Sequence, residues 1–355
     1  MKPIQLRIAS TLAFLAFVPV VGHGYVTYTW KGGDGNWSDP AMWTADDEST
    51  GYPNANDAKA VFPAGQTNTV IFTENIAVSN VVMNGVGTWM TFKCEETKYT
   101  LEIPSVVNDH GIYANGNECS FTMDNIKVKG GGGVYGAANS SYIYVPGKNG
   151  TFRLTNGAEL DYILGFFNKE NMSIQLDEGT SFKVGSCRFN VPANCESTFV
   201  IHNAYFFCGA IQNPNGKMRM VFRGSSPRFA PQRGVGSHMI YEFEIPAGPY
   251  TRVPIVPTHS SPYTMNNSGS VFKVSKNSPA LRAGYSNTWQ IIAWEGPAKI
   301  GITTNNVEWT GLRKQDSYSF GWRTTGTKAQ DPEVDNPAYM YLTLGPKPGM
   351  AIVFR

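Results

Sequence analysis

The chain has 355 residues, of which 16% are charged and 13% aromatic, with 37 Gly and 22 Pro. That length supports one large core, and a charge-poor, turn-rich composition fits an extracellular β protein better than a helical one. The formal charge of +2 is too small for the basic surface that a nucleic-acid partner requires.

Met1–Gly24 reads as a secretory signal peptide. Lys2 and Arg7 make a positive start, Ile8–Val21 an apolar run, and Gly22-His23-Gly24 a small-x-small cleavage site. The run is too short for a membrane anchor and carries Pro19. No later segment is apolar enough to span a bilayer, and no L-P-x-T-G sorting motif is present. Processing at Tyr25 leaves 27 basic against 27 acidic residues, a neutral protein expected to be secreted or held at the cell surface.

Residues 25–72 are read as an N-terminal Trp-rich cap with a first strand. Trp30, Trp37 and Trp43 stand among tight glycine turns. Indole faces suit the C–H face of a sugar. The open end of a repeat protein must also be sealed, and bulky aromatics do that, so we read a cap.

Residues 73–265 are read as repeating coils. Phe121, Phe152, Ile174, Phe199, Met220 and Tyr241 form one apolar column; Met123, Leu154, Leu176, Ile201, Phe222 and Phe243 form a second. Both columns step by 31, 22, 25, 21 and 21 residues. Two apolar residues around one mostly polar residue mark a strand with one face inward, and recurrence at this interval marks a solenoid. Asn125, Asn156, Glu178, Asn203 and Gly224 follow as corners, where Asn and Gly tolerate positive φ. Second short strands are expected at 158–162, 181–184, 204–207 and 228–230. A Pro-rich interval, Ile245–Ser270, then breaks the pattern. Residues 266–355 resume as strands and are read as a C-terminal β cap.

Two resemblances carry this fold further. The stretch Gly111–Gly136 resembles the repeat of right-handed, pectate-lyase-like parallel β-helices. The order Trp30, Gly32, Gly33, Gly35, Trp37, Trp43, Pro53, Asp57, Ala60 and Phe62 resembles the opening of secreted bacterial surface proteins with autotransporter-associated repeats. Together they imply an all-β, right-handed, single-stranded parallel β-helix that serves adhesion or assembly.

The chemistry legible in the sequence is sparse. Five cysteines leave at least one without an internal partner. Cys94/Cys119 and Cys187/Cys208 lie about one coil apart, a spacing open both to disulfides between rungs and to small buried hydrophobes. No C-x-x-C spacing or His cluster suggests a metal, and no cofactor motif is present; Gly130–Gly133 lacks the G-K-[ST] of a phosphate loop. Asp109-His110, Asp124, Asp161 and Asp177-Glu178 are the carboxylate candidates for a polysaccharide lyase or glycoside hydrolase. An outward column of Asp124, Thr155, Asp177, His202, Arg223 and Glu244 mixes signs, against a carboxylate cluster there. From Ser197 to Tyr241 there is no acid, while Lys217, Arg219, Arg223, Arg228 and Arg233 supply five cations. Arg forks suit carboxylates and sulfates, so this stretch is a candidate site for an acidic polysaccharide. The alternative is a solvated face whose Arg stems cover apolar surface. The sequence favours an exported, non-catalytic surface or matrix protein, with a polysaccharide-active enzyme as the alternative.

Overall fold

The computed structural model describes residues 25–83, 85–104, 110–114, 116–131, 141–167, 169–189, 191–209, 211–212, 215–231, 239–256, 271–283, 287–294, 308–310, 318–323 and 338–344. The expected signal peptide, Asp109 and Arg233 lie outside the described residues.

The protein is all-β; among the described residues it is built on two long, mainly parallel sheets of 13 and 11 strands with a third sheet of three. The chain alternates between the two large sheets. Thr151–Thr155 belongs to the second sheet, Glu159–Phe167 to the first, Ser173–Leu176 to the second and Ser181–Phe189 to the first. Each strand therefore pairs with its counterpart one repeat away, a layout compatible with a parallel β-helix.

The apolar columns are true ladders. Phe152 is opposite Ile174, and Ile174 is opposite Phe199; all three are fully buried. The first column continues to Met220, Tyr241 and Phe272. The second runs in register through Leu154, Leu176, Ile201, Phe222 and Phe243. The first sheet supplies a facing column, Val128, Leu160, Phe182, Phe206 and Phe229. The two sheets meet in one core, where Phe182 and Phe206 pack against Phe199 at ring separations of 6.3 and 4.6 Å. Stacking bulky apolar side chains this way removes most of their area from water, about 1.5–3 kcal/mol for each.

The corners follow the expected chemistry with one shift. Asn125, Asn156, Asn203 and Gly224 take positive φ. At the third corner the left-handed residue is Gly179 (φ 76°) rather than Glu178, because Gly carries no Cβ penalty there. Asn149, Asn171 and Asn194 form a second set of corners with φ of 53–66°, and Asn171 Nδ2 donates to Asn149 Oδ1 at 3.1 Å.

The ladder extends beyond the interval in which the sequence shows it. Thr67–Ile71 pairs with Trp89–Lys93, so the second sheet already runs through the Trp-rich segment. Val271–Val274 and Glu308–Thr310 lengthen it past residue 265. The described part of the Pro-rich interval packs onto the coils. Ile255 bridges Phe229 on one side and Ile292 on the other, and Tyr250, Val253 and Val256 are buried. Asn287–Trp294, Tyr318–Arg323 and Ala338–Leu344 form the small antiparallel sheet.

Trp30, Trp37 and Trp43 are buried at 1%, 0% and 4% exposure, which removes their faces from any sugar. Trp37 stacks on Phe72 at 5.0 Å. Each indole N–H is satisfied by backbone: Trp30 on Gly33 O, Trp37 on Pro53 O, and Trp43 on Trp37 O at 2.7 Å. An indole buried with its donor paired is a packing element.

Candidate functional site: an outward groove on the second sheet

Alternate residues of the second sheet face outward, and from Ser173 onward they line a groove. One hollow of about 510 Å³ is bordered by Gln175, Asp177, Glu196, His202 and Arg223. A second, of about 450 Å³, is bordered by Arg219, Glu242, Glu244, Lys273 and Lys276. Thr198, Val200 and Arg223 border both, so the two hollows adjoin. Val200 and Val221 lie opposite each other in register and give the groove an apolar stretch.

The charges along it pair between rungs. Arg153 Nη2 meets Asp177 Oδ2 at 2.6 Å. Arg219 lies 3.4 Å from Glu196 and 3.5 Å from Glu242, and Arg223 lies 2.9 Å from Glu244. Lys273 reaches Glu242 at 3.3 Å. Glu242 is only 8% exposed and is held between two cations, which offsets the cost of removing a carboxylate from water.

The five predicted cations separate. Lys217, Arg219 and Arg223 share the outward side of one strand, Lys217–Arg223. Arg228 is on the other sheet, opposite Tyr205, and is 6% exposed. The acid-free sequence window is not acid-free in space, because Glu196, Glu242 and Glu244 arrive from the adjoining rungs.

The carboxylate candidates are also dispersed. Asp124 accepts from Asn156 Nδ2 at 2.7 Å, Asp161 stands in register between Lys129 and Lys183, and Glu178 is exposed. His110 is buried, with Nδ1 donating to Pro104 O at 2.5 Å and Nε2 3.0 Å from the Tyr25 hydroxyl. Among the described residues, no group of three His, Cys, Asp or Glu is arranged to hold a metal ion.

No disulfide joins the five cysteines. Register separates the first candidate pair and leaves the second in contact, since the Cys208 thiol is a hydrogen-bonding neighbour of Cys187. Cys94 follows Lys93, opposite Asp124, whereas Cys119 precedes Ser120, opposite Trp89, so the two sit at opposite strand ends. Cys208 is opposite Val184 while Cys187 is opposite Ile211. Burial pushes the Cys94, Cys119 and Cys187 thiols up. Cys195 alone is partly exposed, and its hydrogen bond to Glu170 raises its pKa.

Three features of the groove escaped the sequence reading: Lys273, Glu242, and the pairing of Val200 with Val221. The signal for the last was present, since these valines fill outward positions that are otherwise polar. Comparison of the chain with protein-family models, curated proteins and solved structures finds no match. The described geometry defines an all-β protein of stacked parallel strands with an ion-paired outer groove.

Proposed function

We propose that the chain is an exported, non-catalytic surface or matrix protein that displays the outside of a β-solenoid for adhesion or assembly. In this reading the rungs wind as a right-handed parallel β-helix of the kind its repeats resemble. The Trp30, Trp37 and Trp43 segment seals one end and the antiparallel sheet the other. The observation that carries the proposal is the pairing of the groove's outward carboxylates with cations from neighbouring rungs, seen at Arg153–Asp177 and Arg223–Glu244. A carboxylate already held by an Arg is poorly placed to move a proton.

A second reading, a polysaccharide lyase or glycoside hydrolase, draws on the same groove, which brings Asp177, Glu196, Glu242 and Glu244 onto one face. Incubation with acidic and neutral polysaccharides separates the two. The scaffold reading expects no new reducing or unsaturated ends. Product release that disappears in Asp177→Asn or Glu196→Gln would establish the enzyme instead.

Capture of an acidic glycan by Lys217, Arg219 and Arg223 would have to compete with the resident glutamates. Salt-sensitive retention on alginate or heparin that vanishes in Arg219→Glu/Arg223→Glu supports it, and unchanged retention removes it. Export predicts that the secreted protein begins at Tyr25, which N-terminal sequencing checks.

A further inference from the structure

We propose that Trp89 is the stacking platform of a second, separate binding strip, on the N-terminal half of the second sheet's outer face, for a neutral polysaccharide. The inference goes beyond the scaffold reading and does not rest on the ion-paired groove.

Trp89 is 57% exposed, whereas Trp30, Trp37, Trp43 and Trp289 are buried. Its exposure is not that of a loop tip. It opens the strand Trp89–Lys93 and pairs in register with Thr67 on one side and Ser120 on the other. Its indole N–H donates to Glu118 O at 3.1 Å, which fixes the ring through its polar edge. A large, rigid, half-exposed indole with its donor already used offers mainly an apolar surface. Val86, 60% exposed, lies three residues away on the corner that leads into the same strand.

The surroundings select the ligand. The outward column through Trp89 contains Thr67, Ser120 and Thr151. The next column holds Thr69, Thr91 and Thr122 in register. These six positions are hydroxyls, repeated at about 4.8 Å from rung to rung and about 7 Å along each strand. The rung spacing is close to the length that one pyranose residue adds to an extended chain. An indole for the C–H face, bordered by regular donor–acceptor hydroxyls, matches a polymer that alternates apolar ring faces with equatorial hydroxyls. Charge settles the class. The two columns carry no cation until Arg153, which is already bound to Asp177, and Lys93 in the adjoining column lies 3.9 Å from Glu95. A uronate or sulfate would therefore be desolvated where it meets only cations that already have partners. An uncharged glycan meets no such cost.

The test uses the full secreted protein in depletion assays on insoluble cellulose, chitin and a β-1,3-glucan, at low salt and at about 1 M NaCl, where surface charge interactions are screened. Retention on at least one of the three is expected to survive high salt. Trp89→Ala is expected to weaken it about tenfold or more, as for a central aromatic anchor, while Trp89→Phe retains most of it and Arg219→Glu/Arg223→Glu leaves it unchanged. Far-UV circular dichroism and the urea midpoint of Trp89→Ala should match the parent, since the side chain is mostly in water. Absence of retention on all three glycans, or retention equal in Trp89→Ala, overturns the proposal. So does a change in oligomeric state with Trp89→Ala that leaves glycan retention intact, which would make the platform a protein contact.

Discussion

The two faces of the second sheet are built by alternate residues of the same strands, yet they obey opposite stacking rules. Inside, like lies on like: Phe152, Ile174 and Phe199 superpose, and Phe222 lies 4.9 Å from Phe243 with nearly parallel rings. Outside, opposites are set together, as Arg153 with Asp177 and Arg223 with Glu244. The difference is physical. Apolar surface is removed from water whichever apolar neighbour covers it, so a repeated residue type adds rung after rung. Identical charges about 4.8 Å apart repel, so a charged column is stable only where signs alternate.

The strongest way to break this comparison is to hollow the inner ladder. Phe199→Ala should cost about 3–5 kcal/mol, because Phe199 packs on Phe182, Phe189 and Phe206; a urea denaturation midpoint reads it. Next comes a corner. Gly224 has φ of 84°, and an added Cβ would lie 2.1 Å from Asn203 Oδ1, which itself accepts from Ser226 N. Gly224→Ala should cost about 1–3 kcal/mol, measured in the same way.

The outer face should respond far less. A double-mutant cycle on Arg223 and Glu244 is expected to give about 0.2–1 kcal/mol, shrinking with added salt. A value above the corner's would show that the outer pairs govern stability. Smallest is a pH effect on the first sheet. Hydrogen bonding and attraction from Lys98, with Lys127 adding charge, hold the Glu159 carboxyl below the usual glutamate range. A group depressed in the folded state stabilises above its unfolded pKa, and the contribution fades as pH falls through the usual glutamate range to the folded value. Glu159→Gln should therefore slightly flatten the acid limb of a stability–pH curve and leave the value at pH 8 to 9 lower than in the parent.

This contrast also explains what the sequence disclosed. The inner ladders were legible because each rung repeats its neighbour's residue type, and the column through Phe152 and Ile174 needs no knowledge of partners. The corners at Asn125, Asn156 and Asn203 were legible because local φ restricts residue choice. The Glu178/Gly179 shift arose because both residues fall within one tight turn. The groove was not legible, since its ion pairs join residues 21–31 apart whose alignment requires the register. The run from Ser197 to Tyr241 looked purely basic only because its counter-ions, Glu196, Glu242 and Glu244, lie just outside it. Arg228 was misplaced for a related reason: one corner separates it from Arg223, and that corner carries the chain to the other sheet.

The direction of the backbone hydrogen bonds has a mechanical consequence. In both large sheets they point from strand to strand, along the stack of eleven strands whose ten gaps of about 4.8 Å give it a length of about 48 Å. Tension along that line would load these bonds one gap at a time and open the stack like a zipper. Tension along the strands would instead strain a whole row of bonds together. A tether pulling lengthwise would meet a compliant element that yields in small increments, and one pulling crosswise would meet a stiff one.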